Sequence, residues 1–122
     1  MLVATSELSG AALDWVVAKC EGNSYAEATN NPFLYKWNNY LIPHYSTDWS
    51  QGGTIIERLM KEVSYFFLEN DFFNYGHHCA LSITPHDNHH GYGASPLIAS
   101  MRCYVSSKLG DYVEIPNELV DN

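Results

Sequence analysis

The sequence predicts an α+β protein: three helices packed with a small antiparallel sheet, in the order helix, helix, hairpin, helix. Three observations carry this expectation. Residues 95–110 form the best-marked helix: Ser95 is placed to accept a bond from a free first-turn amide, Pro96 needs no donor at the first helical position, and Gly110 can take the left-handed conformation that ends the helix. Two earlier segments repeat apolar residues at helical spacing. Between the second and the last helix, 63–68 and 78–84 are rich in β-branched and aromatic residues, and Asn70, Asp71, Asn74 and Gly76 supply turn chemistry between them.

Taken in order, residues 2–4 are a short apolar run suited to an edge strand, able to join the hairpin's sheet. Thr5 or Ser6 then offers an N-cap to a helix running to about Glu21 and ended by Gly22. Leu8, Ala12, Trp15, Val16 and Lys19 define one stripe, and Ala11, Leu13, Val17 and Cys20 widen the apolar arc, so this helix should be buried over much of its circumference. From 23 to 43, turn formers alternate with Tyr25, Phe33, Tyr35, Trp37 and Tyr40, which reads as a long loop pinned by aromatic rings. A second helix begins near Asp48, which with Gln51 matches a capping box, Thr47 being an alternative cap. Ile55, Ile56, Leu59, Met60 and Val63 carry its apolar side, and Glu57 with Lys61 and Arg58 with Glu62 can pair one turn apart. The sheet is expected from 63–68 and 79–84, with Cys79, Leu81 and Ile83 alternating against Ala80, Ser82 and Thr84. Residues 85–93 read as an exposed loop feeding the final helix. On that helix Leu97, Ile98, Met101, Tyr104, Val105 and Leu109 share a stripe, with Arg102, Ser106 and Lys108 outside it. The tail beyond Gly110 either folds back over the core or frays.

A chain of 122 residues, 46% hydrophobic, suits one domain spanning 1–122. Its formal charge of -8, with the six basic residues dispersed, disfavours nucleic acid and anionic lipid as partners. No apolar run approaches the ~20 residues that span a bilayer. Cys20, Cys79 and Cys103 are odd in number and far apart, and the N-terminus lacks a secretory signal, which fits small buried hydrophobes in a reducing cytoplasm.

Three stretches together carry a resemblance: TSELSGAALDWVVAKCEG (5–22), YSTDWSQGGTIIER (45–58) and SPLIASMRCYVSSKLGDYVE (95–114). The chain resembles the NinX-like family of lambdoid phages and prophages, small proteins of unknown function, and is more distantly similar to the phage αβα-sandwich proteins. The resemblance implies a phage or prophage origin, hence the cytoplasm of a bacterial host, and the same helix, helix, hairpin, helix order. It brings no catalytic residues. The stretches 25–40 and 85–93 stand apart from it.

Candidate chemistry concentrates in two places. Around the start of the second helix, Tyr45, Ser46, Thr47, Asp48, Trp49, Gly52 and Gly53 combine free amides, two glycines and two large rings, so a small anionic or polar ligand could stack there with Arg102 nearby. The competing reading is that Asp48 caps its own helix, Trp49 fills the core and the glycines admit a neighbouring helix. Arg102 itself either snorkels along the sheet edge or points at an anion. His86, His89 and His90 have a chelating spacing that zinc could use, against which stands a solvated polar loop. Hydrolase sets can be assembled from Ser46, Asp48 and His44 or from Cys79 and His77, but no nucleophile-elbow glycines flank Ser46, and His77 and Cys79 share one strand face without an orienting third group, so no catalytic residue is assigned. The leading expectation is a non-enzymatic accessory protein binding a host protein or small molecule; a small metal-dependent or thiol enzyme is the alternative. The small sheet and high aromatic content also suit a homodimer.

Overall fold

The computed structural model describes residues 1–22, 34–37, 40–71, 73–74 and 76–120. It has the α+β architecture expected, with the helices and the hairpin in the expected order. Strand β1 (Leu2–Ala4) leads through a 3-10 turn into helix α1 (Gly10–Cys20), and strands β2 (Leu34–Trp37) and β3 (Tyr40–Pro43) precede helix α2 (Trp49–Glu62). Strands β4 (Tyr65–Asp71), β5 (Gly76–Ser82) and β6 (His89–Gly93) follow, then helix α3 (Pro96–Leu109) and strand β7 (Tyr112–Glu114). No helix among the described residues is long and apolar enough to cross a membrane.

Helix α3 is the centre of the molecule. Its caps are those its sequence marks: the Ser95 side chain accepts from the Ile98 amide at 3.1 Å, and Gly110 has φ 85°. One side of α3 packs on β5 and β6, and α1 and α2 lie against it as well. The helix therefore buries far more than a stripe. Leu97, Met101, Tyr104 and Val105 are covered as expected, and so are Ala99, Ser100 and Cys103 between them, while Leu109 at its end is exposed. Close approach to the sheet depends on glycine. A Cβ at Gly91 would overlap the Ala99 carbonyl and the Cys103 amide, and one at Gly93 would lie 2.6 Å from Ile98.

Four expectations are corrected. First, Thr5 does not cap α1: its hydroxyl donates to the Gly110 carbonyl at 3.0 Å and its amide to Asp111, so it ties the chain's start to the end of α3, and the helix begins at Gly10 after Ser9. Second, β1 does not join the hairpin's sheet. It pairs antiparallel with β7, Val3 opposite Val113, because the tail folds back and buries Val113, Ile115 and Leu119. Third, the loop expected over 23–43 contains the β2/β3 hairpin, with Leu34 opposite Pro43 and Trp37 opposite Tyr40, in keeping with the strand preference of aromatic residues; 23–33 lies outside the described residues. Fourth, 85–93 is not all loop: 89–93 forms β6, which pairs with β5 through His78 opposite Tyr92 and makes a three-stranded sheet in the order β4-β5-β6. Glycines at 91 and 93 hid this strand, since strand preference gives them no weight, yet on the face toward α3 only glycine fits.

Candidate functional site

The start of α2 is occupied by its own chain. Asp48 accepts from the Ser50 amide at 2.8 Å and from the Gln51 side chain at 3.2 Å, and the Gln51 and Gly52 amides bond to the Asp48 carbonyl. The hydrogen bonds to its side chain, led by one from the Ser50 hydroxyl at 2.6 Å, hold the Asp48 carboxyl below its ordinary range. The Gln51 side-chain carbonyl oxygen accepts from the His44 amide at 3.2 Å rather than from the Asp48 amide, a displaced version of the expected capping box. Behind it, buried Asp14 accepts from the amide of buried Ser46 at 2.7 Å. Gly52 serves packing, since a Cβ there would overlap the Tyr45 carbonyl and lie 2.6 Å from Leu97, but Gly53 meets only Trp49, at an ordinary 3.4 Å. Trp49 does not fill the core; it is 55% exposed. Tyr45 packs against the core and Thr47 is exposed. Arg102 is directed elsewhere. Five positions separate it from Leu97, about 140° around the helix, and its guanidinium donates to the Leu8 carbonyl from Nε and to the Tyr92 carbonyl from Nη1, both at 2.7 Å.

The histidines are also redistributed. His89 and His90 are neighbours on β6 and so leave opposite faces of the sheet. His89 Nε2 lies 3.1 Å from Asp87, His90 Nδ1 lies 2.9 Å from His78 Nε2, and the His86 amide bonds to the Thr84 hydroxyl. Among the described residues, no three His, Cys, Asp or Glu side chains are placed to hold a metal ion together. Cys79 is sealed between β5 and α3 beside Cys103, whose thiol is pushed up by its contact with Cys79 and by burial and donates to the His89 carbonyl. Both thiols are fully buried.

The arrangement that sequence reasoning missed is the open face of the three-stranded sheet. Register and alternation put Tyr65, Phe67 and Glu69 of β4, His78 and Ala80 of β5, and His90 and Tyr92 of β6 on the side away from α3. The rings form a platform: Tyr65 stacks with Phe67, and His78 stacks with both His90 and Tyr92, at centroid distances of 5.2 and 4.6 Å. Tyr65 is 52% exposed, Phe67 39% and Tyr92 51%. A line of hydrogen bonds crosses it from Glu69 to His78 Nδ1 at 2.8 Å, and from His78 Nε2 to His90. A hollow of about 350 Å³ at one end is bounded by Glu69, Asp71, Phe73, His78 and Tyr92. No lysine or arginine stands on β4, β5 or β6. The missed signal is the alternation itself: Tyr65, Phe67 and Glu69 are separated by Phe66 and Leu68, which turn inward.

Fold and face define a small α+β protein with an unpartnered aromatic sheet surface and a closed helical side. Residues 4–108 match the family model described as Bacteriophage P22, NinX. The chain belongs to this phage family. No curated protein matches it.

Proposed function

We propose that this phage protein is a non-enzymatic binding module and that its working surface is the open face of the β4-β5-β6 sheet. Its partner is a basic segment of a host protein. One observation carries the reading: half-exposed Tyr65, Phe67 and Tyr92 share a face with Glu69, and no lysine or arginine stands on its three strands. Aromatic faces attract guanidinium and ammonium groups, a neighbouring carboxylate completes the recognition of arginine, and the overall charge of -8 steers basic partners toward the protein. A second copy of the chain suits the face less, because two copies meeting face to face about a twofold axis would bring the Glu69 carboxylates of both into one interface.

The test is a titration of arginine-rich, lysine-rich and glutamate-rich peptides into the full chain, followed by backbone NMR. The arginine-rich peptide is expected to shift β4, β5 and β6 resonances, to bind more weakly as salt rises, and to lose binding in Phe67→Ala and Tyr92→Ala. Binding that survives both variants, or a concentration-dependent dimer that buries this face in gel filtration and NMR, overturns the reading.

A further inference from the structure

We propose that a cleft beside Arg102, adjoining the open sheet face at Asp71 and Tyr92, binds a small zwitterion: a molecule presenting a carboxylate to Arg102 and an ammonium group to Asp71. The cleft has a volume of about 280 Å³ and is lined by Ser6, Asp71, Asn74, His77, Tyr92 and Arg102, with Gly76 and Gly93 bringing its strands' backbone close. A Cβ at Gly76 would lie 2.6 Å from the Gly93 carbonyl, so these strands meet there without side chains between them.

The unusual feature is the arginine. Buried cations are ordinarily paired with an anion, because charge without a counter-charge is costly away from water. Arg58 follows that rule, with Glu21 at 2.7 Å on both terminal nitrogens and Glu62 at 3.7 Å. Arg102 is half-buried and has no carboxylate within ion-pair distance among the described residues. Its two hydrogen bonds go to carbonyls, which orient the guanidinium without neutralising it, and Nη2 has no partner among the described residues. Burial accordingly pulls its pKa down, with no neighbouring charge to oppose it. Asp71 lines the same cleft, and its hydrogen bond from Asn74 at 2.8 Å leaves it unpaired with any cation among the described residues. An acid and a base thus face one small space without meeting each other. A carboxylate fits the planar donor edge of arginine. A dianion such as phosphate is opposed by Asp71, and an ammonium group on the same ligand turns that opposition into attraction. The chemistry is that of a free amino acid.

Glycine, acetate, methylammonium and inorganic phosphate serve as probes, titrated into the full chain and read on the amide signals of Gly76, His77 and Gly93. Glycine is expected to bind about tenfold more tightly than acetate, the worth of one charge-assisted hydrogen bond, and more tightly than phosphate. Asp71→Asn should bring glycine down to the affinity of acetate, and Arg102→Gln should remove both. Asp71 lies at the outer end of β4, so its variant keeps the test intact if Arg102→Gln fails to fold. Phe67→Ala, on the open face, should leave these affinities unchanged, which separates this site from the peptide surface. Phosphate binding more tightly than glycine, indifference of glycine affinity to Asp71→Asn, or no response to any probe at millimolar concentration overturns the proposal.

Discussion

The two faces of the β4-β5-β6 sheet obey different rules. Toward α3 the residues are small or fully covered: Cys79 and Leu81 on β5, Gly91 and Gly93 on β6, with α3's backbone resting where side chains would be. Away from α3 stand Tyr65, Phe67, Glu69, His78, His90 and Tyr92, partly exposed and bonded mainly to one another. The inner face is chosen for closeness, where an added methyl group displaces backbone. The outer face carries rings and polar groups that meet one another and the solvent, and the fold should depend on it less. A sheet needs only one covered face to be stable, which leaves the other available for recognition.

The largest effect that sharpens this contrast is expected from Gly91→Ala. The new Cβ meets the Ala99 carbonyl and the Cys103 amide, neither of which can swing aside, so a loss of about 3 kcal/mol is expected in urea unfolding. A variant as stable as wild type would show that α3 can lift from the sheet at no cost and would break the comparison.

Next is Glu21→Gln, on the helical side. Glu21 accepts from both terminal nitrogens of Arg58 and from the Tyr104 hydroxyl, joining α1, α2 and α3. Its loss should cost about 1–2 kcal/mol, discounted because Arg58 is partly exposed. Burial alone would raise the Glu21 carboxyl, but the hydrogen bonds from Arg58 and Tyr104 outweigh it and lower the pKa from its ordinary 4.5. A carboxyl lowered on folding stabilises above its unfolded pKa and loses that contribution as pH falls through its folded pKa. The gap in melting temperature between wild type and Glu21→Gln should therefore be full at neutral pH and close as pH falls below 4.5. A gap independent of pH would refute the assignment.

Smaller effects belong to the outer face. Phe67→Ala and Tyr92→Ala remove cross-strand ring contacts and should each cost less than ~1 kcal/mol while abolishing peptide binding. Equal losses of stability on both faces would erase the distinction between them. The smallest effect is expected at Gly53, which meets only Trp49 at 3.4 Å. Gly53→Ala should raise stability by up to ~1 kcal/mol through helix propensity, opposite in sign to Gly52→Ala, whose Cβ overlaps the Tyr45 carbonyl. Thermal melts of the pair decide the sign.

Local signals were enough wherever one segment satisfies itself. Ser95, Pro96 and Gly110 mark α3 because caps and φ preferences act within a few residues, and Asp48 marks α2 for the same reason. The alternation through Leu81 exposed β5's buried face before any partner was known. What the sequence by itself determined about this protein is therefore its class, its three helices and their order, and, through three stretches of likeness, its phage family. Tertiary structure alone decided the rest. Whether Thr5 caps a helix or bonds to Gly110, whether residues 2–4 pair with the hairpin or with β7, and whether Arg102 approaches residues 45–53 or the Leu8 and Tyr92 carbonyls all depend on partners 10 to 112 positions away. The strand at 89–93 shows the reason most plainly: its glycines disfavour a strand when judged alone, and become the residues that fit once α3 lies against them.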